Sequence, residues 1–183
     1  MGYVRSFVDG FSVLAAPLTG MKQWSWGKEH REAFGALKEA IARAGTLSNP
    51  DYNSQFFIQA DTSKTGTGGT LWQWGKDESG AKVKKIICYC SKKFNLQQSR
   101  WKTIEQECFG LVFALQKFRQ FVQGCPVTLL TDHRNIKWLN SNETSSKIIR
   151  WAMVLDEHVY TVEHVPGKSI PVEDCLSRLS AVA

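Results

Sequence analysis

The sequence predicts an α/β domain in which a central sheet carries helices packed on its faces. Three observations predict it. Five runs of strand character are spread along the chain, and the first three follow one another with only turn signals between them. One long amphipathic helix separates the third run from the fourth. The other helical patterns lie before the first strand and around the fifth, which is the order of a layered fold and not of an all-helical one.

Residues 1–50 read as a loop with short turns followed by one helix. Trp26-Gly27 precedes that helix, and Ala33, Phe34, Leu37, Ala40 and Ile41 recur along it at helical spacing. Asn49-Pro50 closes the segment. From Ser54 the period changes, and SQFFIQADTS, GTGGTLWQWG and AKVKKIICYCSKKF read as a three-strand meander with turn signals at 64–69 and 76–80. Residues 103–123 predict a strong helix, because Phe109, Val112, Phe113, Leu115 and Phe118 recur three and four apart and Gly124 can end it. Pro126 then opens a fourth strand, VTLLTD. A short helix is expected at 136–139 and a longer one at 146–158, with Ile149, Met153 and Leu155 facing inward. VYTVEHV is the fifth strand, Pro166-Gly167 a turn, and 172–179 a terminal helix. The shift in character near Pro50 divides a segment 1–50 from a domain 51–183.

A chain of 183 residues that is 43% apolar, with seven Trp and ten Phe, can build a sizeable core without covalent staples. Cys88, Cys90, Cys108, Cys125 and Cys175 form no C-x-x-C pair and have no His at zinc-ligand spacing. Pairing them would leave one over, so a reduced, intracellular setting is expected, cytoplasmic or nuclear. No apolar stretch nears the roughly 20 residues of a membrane span, and no secretory signal opens the chain, so no membrane partner is expected. MGYVRS fits the short myristoylation pattern, which recurs by chance.

The net charge of +6 is local: residues 76–102 hold eight basic and two acidic residues. Lys76, Lys82, Lys84, Lys85, Lys92, Lys93, Arg100 and Lys102 form a basic stripe suited to a phosphate backbone, or lysines that guard an edge strand.

Four carboxylates stand out among the seventeen acidic residues by their settings. Asp61 and Asp132 end the apolar runs FFIQAD and VTLLTD, while Glu107 and Asp174 lie in helix-like segments. Two Mg²⁺ ions roughly 3.5 to 4 Å apart can activate a water and stabilise the leaving oxygen of a phosphodiester when clustered carboxylates hold them. Magnesium takes hard oxygen ligands and keeps several waters, so no histidine cage is needed. Helical period alone does not choose between Glu105 and Glu107, which point to nearly opposite sides.

In order along the chain stand A-D-T-S, E-Q-E-C-F-G-L-V-F-A-L, T-D-H-R-N-I-K-W-L and V-P-G-K-x-I-x-V-E-D-C-L-S-R. Together they resemble the ribonuclease H domain of Gypsy-type LTR retrotransposon reverse transcriptases. YVRSFVDGFSVLAAPLTG, WSWGKEHREAFGALKEAI and LSNPDYN resemble the connection segment that precedes it. The resemblance implies a ribonuclease H-like fold with a mixed five-stranded sheet. It also implies hydrolysis of the RNA strand of RNA/DNA hybrids with two Mg²⁺ ions, Mn²⁺ being able to substitute. Its four ligands fall on Asp61, Glu107, Asp132 and Asp174. The family motif sets its glutamate immediately before the apolar run, which favours Glu107 and leaves Glu105 as a surface or first-turn residue.

His164 lies ten residues before Asp174, where the resemblance to cellular ribonucleases H implies a catalytic histidine and Gypsy-type elements usually carry tyrosine. It is a candidate proton shuttle or a half-exposed strand residue. His133 is expected to be structural. Trp24, Trp26, Trp101, Trp138 and Trp151 are expected to pack in the core and not to stack on bases. Polymerase and integrase portions of a Pol polyprotein are implied partners. The chain starts at Met1 inside the connection and holds no Y-x-D-D, as an excised domain or a truncated frame would. That leaves a second reading, a non-catalytic module that binds nucleic acid or a protein.

Overall fold

The computed structural model describes residues 2–19, 25–132 and 145–165. A 3-10 turn over Gly2–Ser6, two single-turn helices, α1 (Phe11–Leu14) and α2 (Ala16–Thr19), and the long helix α3 (Lys28–Arg43) come first. The meander follows as β1 (Phe56–Thr62), β2 (Gly66–Lys76) and β3 (Lys82–Lys93). After it come α4 (Thr103–Val122), β4 (Val127–Thr131), α5 (Ser146–Asp156) and β5 (Tyr160–His164). The expected helices at 136–139 and 172–179 and the Pro166-Gly167 turn lie outside the described residues.

The strands form one mixed sheet in the order β3-β2-β1-β4-β5. The meander pairs antiparallel, whereas β4 joins β1 and β5 joins β4 in parallel. Parallel neighbours need a crossover, and α4 and α5 supply the two. All five residues of β4 are buried, as a central strand requires, while β5 alternates half-buried with exposed residues at the sheet margin.

The main core lies between the sheet and α4. Phe56, Ile58, Leu71, Val127 and Leu129 meet Leu111, Ala114, Leu115, Phe118 and Val122 there. Phe109 and Phe113, expected on the same inward stripe, are only half-buried. Phe109 joins Trp101 and Trp151, with ring centroids 5.5 and 5.7 Å away. The helix is therefore covered on two sides, by the sheet and by α5. Gly124, at φ +80°, ends it in the left-handed conformation the sequence anticipates.

Two local readings need correction. The glycines of GTGG are not turn residues: β2 begins at Gly66, and Gly68 and Gly69 are paired strand positions. A Cβ on Gly69 would stand 2.8 Å from the Ala114 Cβ and 3.0 Å from the Cys90 Sγ, so the residue is small to admit α4. In α5, Ile149 and Met153 are 50% and 64% exposed, and the buried residues are Ile148 and Leu155. The helix is turned so that Trp151, one turn from each of these, reaches the Trp101–Phe109 pair.

The N-terminal segment has its own small cluster, Val8, Phe11, Ala15 and Leu37. It lies against β3: the Ser12 N–H donates to the Ser91 hydroxyl at 2.9 Å, and the Ser48 N–H donates to the Ile86 carbonyl at 2.6 Å. Trp26, expected in the core, is 41% exposed, stacks on His30 and meets Phe34 edge-on along the outside of α3.

Gly69→Ala should cost about 1–3 kcal/mol of unfolding free energy, because α4 and β3 leave no room for a methyl group. Gly35→Ala, whose added Cβ would meet nothing within 4 Å in the middle of α3, should gain about 0.5–1 kcal/mol. Urea denaturation of the two variants beside the parent measures both.

Candidate functional site

β1 and β4 run side by side in parallel, with Gln59 opposite Leu130. Two residues beyond that pair each strand reaches its aspartate, Asp61 in β1 and Asp132 just past β4, so both carboxylates emerge at one end of the sheet. Asp61 is also paired with Gly68 of β2.

Helix α4 brings Glu107 to the same end. A Cβ on Gly110 would stand 2.7 Å from the Thr62 Oγ1 and 2.8 Å from the Thr67 Oγ1, so the helix backbone rests directly on the β1–β2 hairpin there. Glu107 is one turn before Gly110 and shares its face. The hairpin end is tied in turn: Thr67 Oγ1 donates to the Asp61 carbonyl at 3.0 Å, and Thr62 Oγ1 donates to Thr67 Oγ1 at 3.3 Å. Glycine at position 110 is the signal that separates the two glutamates, because only Glu107 lies on the glycine's side of the helix.

Burial first, then the neighbouring charges of Asp132 and Asp61, push the Glu107 carboxyl up to about 8. Glu105 behaves in the opposite way. Burial raises its pKa, but hydrogen bonds from the Ser145 hydroxyl and the Lys102 N–H, together with Lys147, outweigh burial and hold it below the usual carboxylate range. It is a first-turn residue of α4, as expected, but a buried one and not a surface one.

His164 ends β5 beside Thr131, half-exposed, with its Nε2 3.0 Å from the Asp132 carbonyl oxygen. A carbonyl only accepts, so Nε2 carries the proton in this contact and Nδ1 is the nitrogen left over. Asp174, His133, Trp24 and Trp138 lie outside the described residues.

The donor set is oxygen only, which fits a hard divalent cation such as Mg²⁺ or Mn²⁺. Each influence on Glu107 disfavours its negative charge, and a cation among Asp61, Glu107 and Asp132 would reverse that. The three are near enough to repel. Among the described residues, however, no three His, Cys, Asp or Glu side chains converge on one metal-sized point.

The basic stripe is split. Lys92 and Lys93 pair with Thr67 and Gly66, at the carboxylate end, whereas Lys84 and Lys82 pair with Trp74 and Lys76. At roughly 3.3 Å per residue, Lys82 and Lys93 stand about 36 Å apart along β3. Lys82 and Lys84 lie over the rings of Trp74 and Trp72, at 4.3 and 4.7 Å from the centroids. β3 is an edge of the sheet, so the distant lysines also fit the edge-guarding alternative.

Residues 51–158 match the family model for the RNase H-like domain found in reverse transcriptase. The chain belongs to this family. The match spans β1 to α5 and stops short of His164. Across 97% of its length the chain is 30% identical to the retrovirus-related Pol polyprotein from transposon 297 of Drosophila melanogaster. It is 32% identical to that from transposon 412, again over 97% of its length. It is also similar to the transposon Tf2-3 polyprotein of Schizosaccharomyces pombe, at 24% identity over 98% of its length. It spans only 16%, 14% and 14% of these relatives. Among solved structures, 90% of it superposes on 23% of the foamy viral protease-reverse transcriptase in complex with RNA/DNA hybrid, with a TM-score of 0.71 at 20% identity. The dRH form of that protein in complex with ds DNA gives 0.73 at 19% identity, over 90% of this chain and 30% of the other. These two likenesses establish the RNase H-like fold.

The raised Glu107 pKa couples stability to pH in this RNase H-like domain. Between about 4.5 and about 8 the folded protein holds a proton that the unfolded chain releases, so stability is full at the acid side and falls as pH rises through that window. Metal-free protein should lose on the order of a few kcal/mol across it. Glu107→Gln should flatten the slope, as read from thermal melts at stepped pH.

Proposed function

We propose that this RNase H-like domain hydrolyses the RNA strand of RNA/DNA hybrids endonucleolytically, with two Mg²⁺ ions that Mn²⁺ can replace, as one portion of a Gypsy-type Pol polyprotein. The observation that carries the reading is the delivery of Glu107 by α4 to the end of β1 and β4, where its charge feels Asp61 and Asp132. Three acidic groups brought to one end of the sheet are an arrangement that a divalent cation would stabilise.

When bound, the metal ions supply Lewis acidity and a water acidic enough to attack phosphorus. Asp61, Glu107 and Asp132 would hold one ion, and Asp61 with Asp174 the other. Glu107 would hold an ion as its carboxylate, its proton released to solvent. His164, fixed through Nε2 on the Asp132 carbonyl, presents Nδ1 as the atom that moves a proton. Lys92 and Lys93, at the carboxylate end of β3, supply phosphate affinity together with Arg100 and Lys102 before α4, and that affinity falls with salt. Hybrid geometry is read through shape and 2′-hydroxyls, so sequence preference is weak. The complex of the foamy viral relative with RNA/DNA hybrid supports the substrate class.

The second reading, a non-catalytic nucleic-acid-binding module, draws on the lack of a three-ligand convergence among the described residues. One experiment separates the two. Labelled RNA/DNA hybrid, RNA duplex and DNA duplex are incubated with and without divalent metal, and only the hybrid with metal should be cut. Asp61→Asn and Asp132→Asn should keep the parent circular dichroism and lose at least about a hundredfold in rate, as the removal of a charged ligand in a preorganised site does. Cleavage retained in either variant sinks the assignment. Millimolar Mn²⁺ should also raise the melting temperature by several degrees, since about 2.7 kcal/mol accompanies a metal concentration a hundred times Kd.

A further inference from the structure

Glu105 is a carboxylate that the proposed chemistry does not use, yet it is among the most thoroughly partnered side chains in the domain. It is 8% exposed. Its Oε1 accepts from the Ser145 hydroxyl at 3.0 Å and from Lys147 Nζ at 3.4 Å. Its Oε2 accepts from the Lys102 N–H at 3.3 Å and from the same Lys147 Nζ at 3.4 Å. One acidic group thus joins the first turn of α4 to the first residues of α5. Lys147 is held from a second side, with Nζ 4.7 Å from the centroid of the Trp101 ring, and Trp101 packs on Phe109 of α4 and Trp151 of α5.

The place of this junction in the chain gives it a role. After Asp132 the chain runs through twelve residues, 133–144, and at Ser145 it reaches the N-terminus of α4 again. Asp132 stands near Glu107, and Ser145 and Lys147 meet Glu105, two residues earlier on the same helix. On the Glu107 side the contact sets one acidic group near two others. On the Glu105 side it is attractive, and it is directional through three hydrogen bonds from Ser145 and Lys147. The end of α4 that carries Glu107 is therefore held to α5 by bonds that lie outside the acidic cluster.

We propose that Glu105 is a positioning residue: its ion pair with Lys147 and the hydrogen bond from Ser145 pin α5 to the start of α4 and fix the separation of Glu107 from Asp132. The inference rests on the hydrolytic reading above, in which Glu107 and Asp132 hold a common ion. Glu105 touches neither substrate nor metal. It sets the distance at which two other carboxylates meet.

Glu105→Ala, Glu105→Gln, Lys147→Ala and the double variant Glu105→Ala/Lys147→Ala test the pin well below each protein's melting temperature. With hybrid substrate, Glu105→Ala should lower kcat about tenfold and leave KM within twofold, and Glu105→Gln, which keeps an oxygen acceptor, should recover most of the loss. The double variant should lose no more than the worse single one, because both remove the same link. A second readout needs no cleavage: the Mn²⁺ concentration at half-maximal rise in melting temperature should increase at least threefold in Glu105→Ala. Should Glu105→Ala not fold, Lys147→Ala carries both comparisons, since it leaves the carboxylate with Ser145. Parent protein that cuts hybrid while the variants keep its kcat and Mn²⁺ midpoint overturns the pin and leaves the hydrolytic reading intact. If the parent does not cut, the hydrolytic reading fails, and an unchanged Mn²⁺ midpoint then overturns the pin as well.

Discussion

The contact on which the candidate site depends is the seating of α4 on the β1–β2 hairpin. Gly110 sets helix backbone against the Thr62 and Thr67 hydroxyls, and Gly69 gives Ala114 a place in the sheet. Neither contact leaves room for another carbon. With the helix lowered to this depth, Glu107 reaches a strand end that a helix at ordinary stand-off would pass over. The apolar face below it, from Leu111 to Val122, then fixes the helix direction over the strands. Site and core are thus one construction, in which small residues set the depth and large ones set the direction.

Charge is distributed around that contact in a way that gives each group one task. The Glu107 carboxyl is driven toward its protonated form by burial and by the two aspartates, whereas Glu105, half a helical turn away, is kept ionised by a lysine, a hydroxyl and a backbone N–H. Two glutamates on one turn therefore differ in how readily they ionise because they face different neighbours. The lysines of β3 also divide, Lys92 and Lys93 at the carboxylate end of the strand and Lys82 and Lys84 laid over tryptophan rings at the far end.

Much of this was legible in the sequence, and the failures share a cause. The five strands and α4 fall where period and turn signals place them, and Asp61, Glu107 and Asp132 come together at one end of the sheet. Local pattern is enough for features that depend on a residue and its chain neighbours. It does not tell a glycine that needs a positive φ, as Gly124 does, from one that needs space, as Gly69 does, because the crowding atoms come from β3 and α4. The eleven-residue α5 offers two apolar stripes, and the Trp101–Phe109 pair across the interface selects the one with Ile148, Trp151 and Leu155. The basic stripe looked continuous because residues close in sequence can stand far apart along an extended strand. Trp26 precedes a helix with too little apolar mass beneath it to enclose an indole.

The outer margin of β3 is twelve residues long, and a strand margin of that length offers its backbone to any other strand that drifts past. Here Ser48 takes up the Ile86 carbonyl, and Ser12 with the single-turn helix α1 lies over Ser91. The first fifty residues thus act as a hem along the raw edge of the sheet. Cutting the chain at Pro50, where its character changes, would leave Asp61, Glu107 and Asp132 in place and remove the hem, so that the trimmed domain would be prone to self-association through β3.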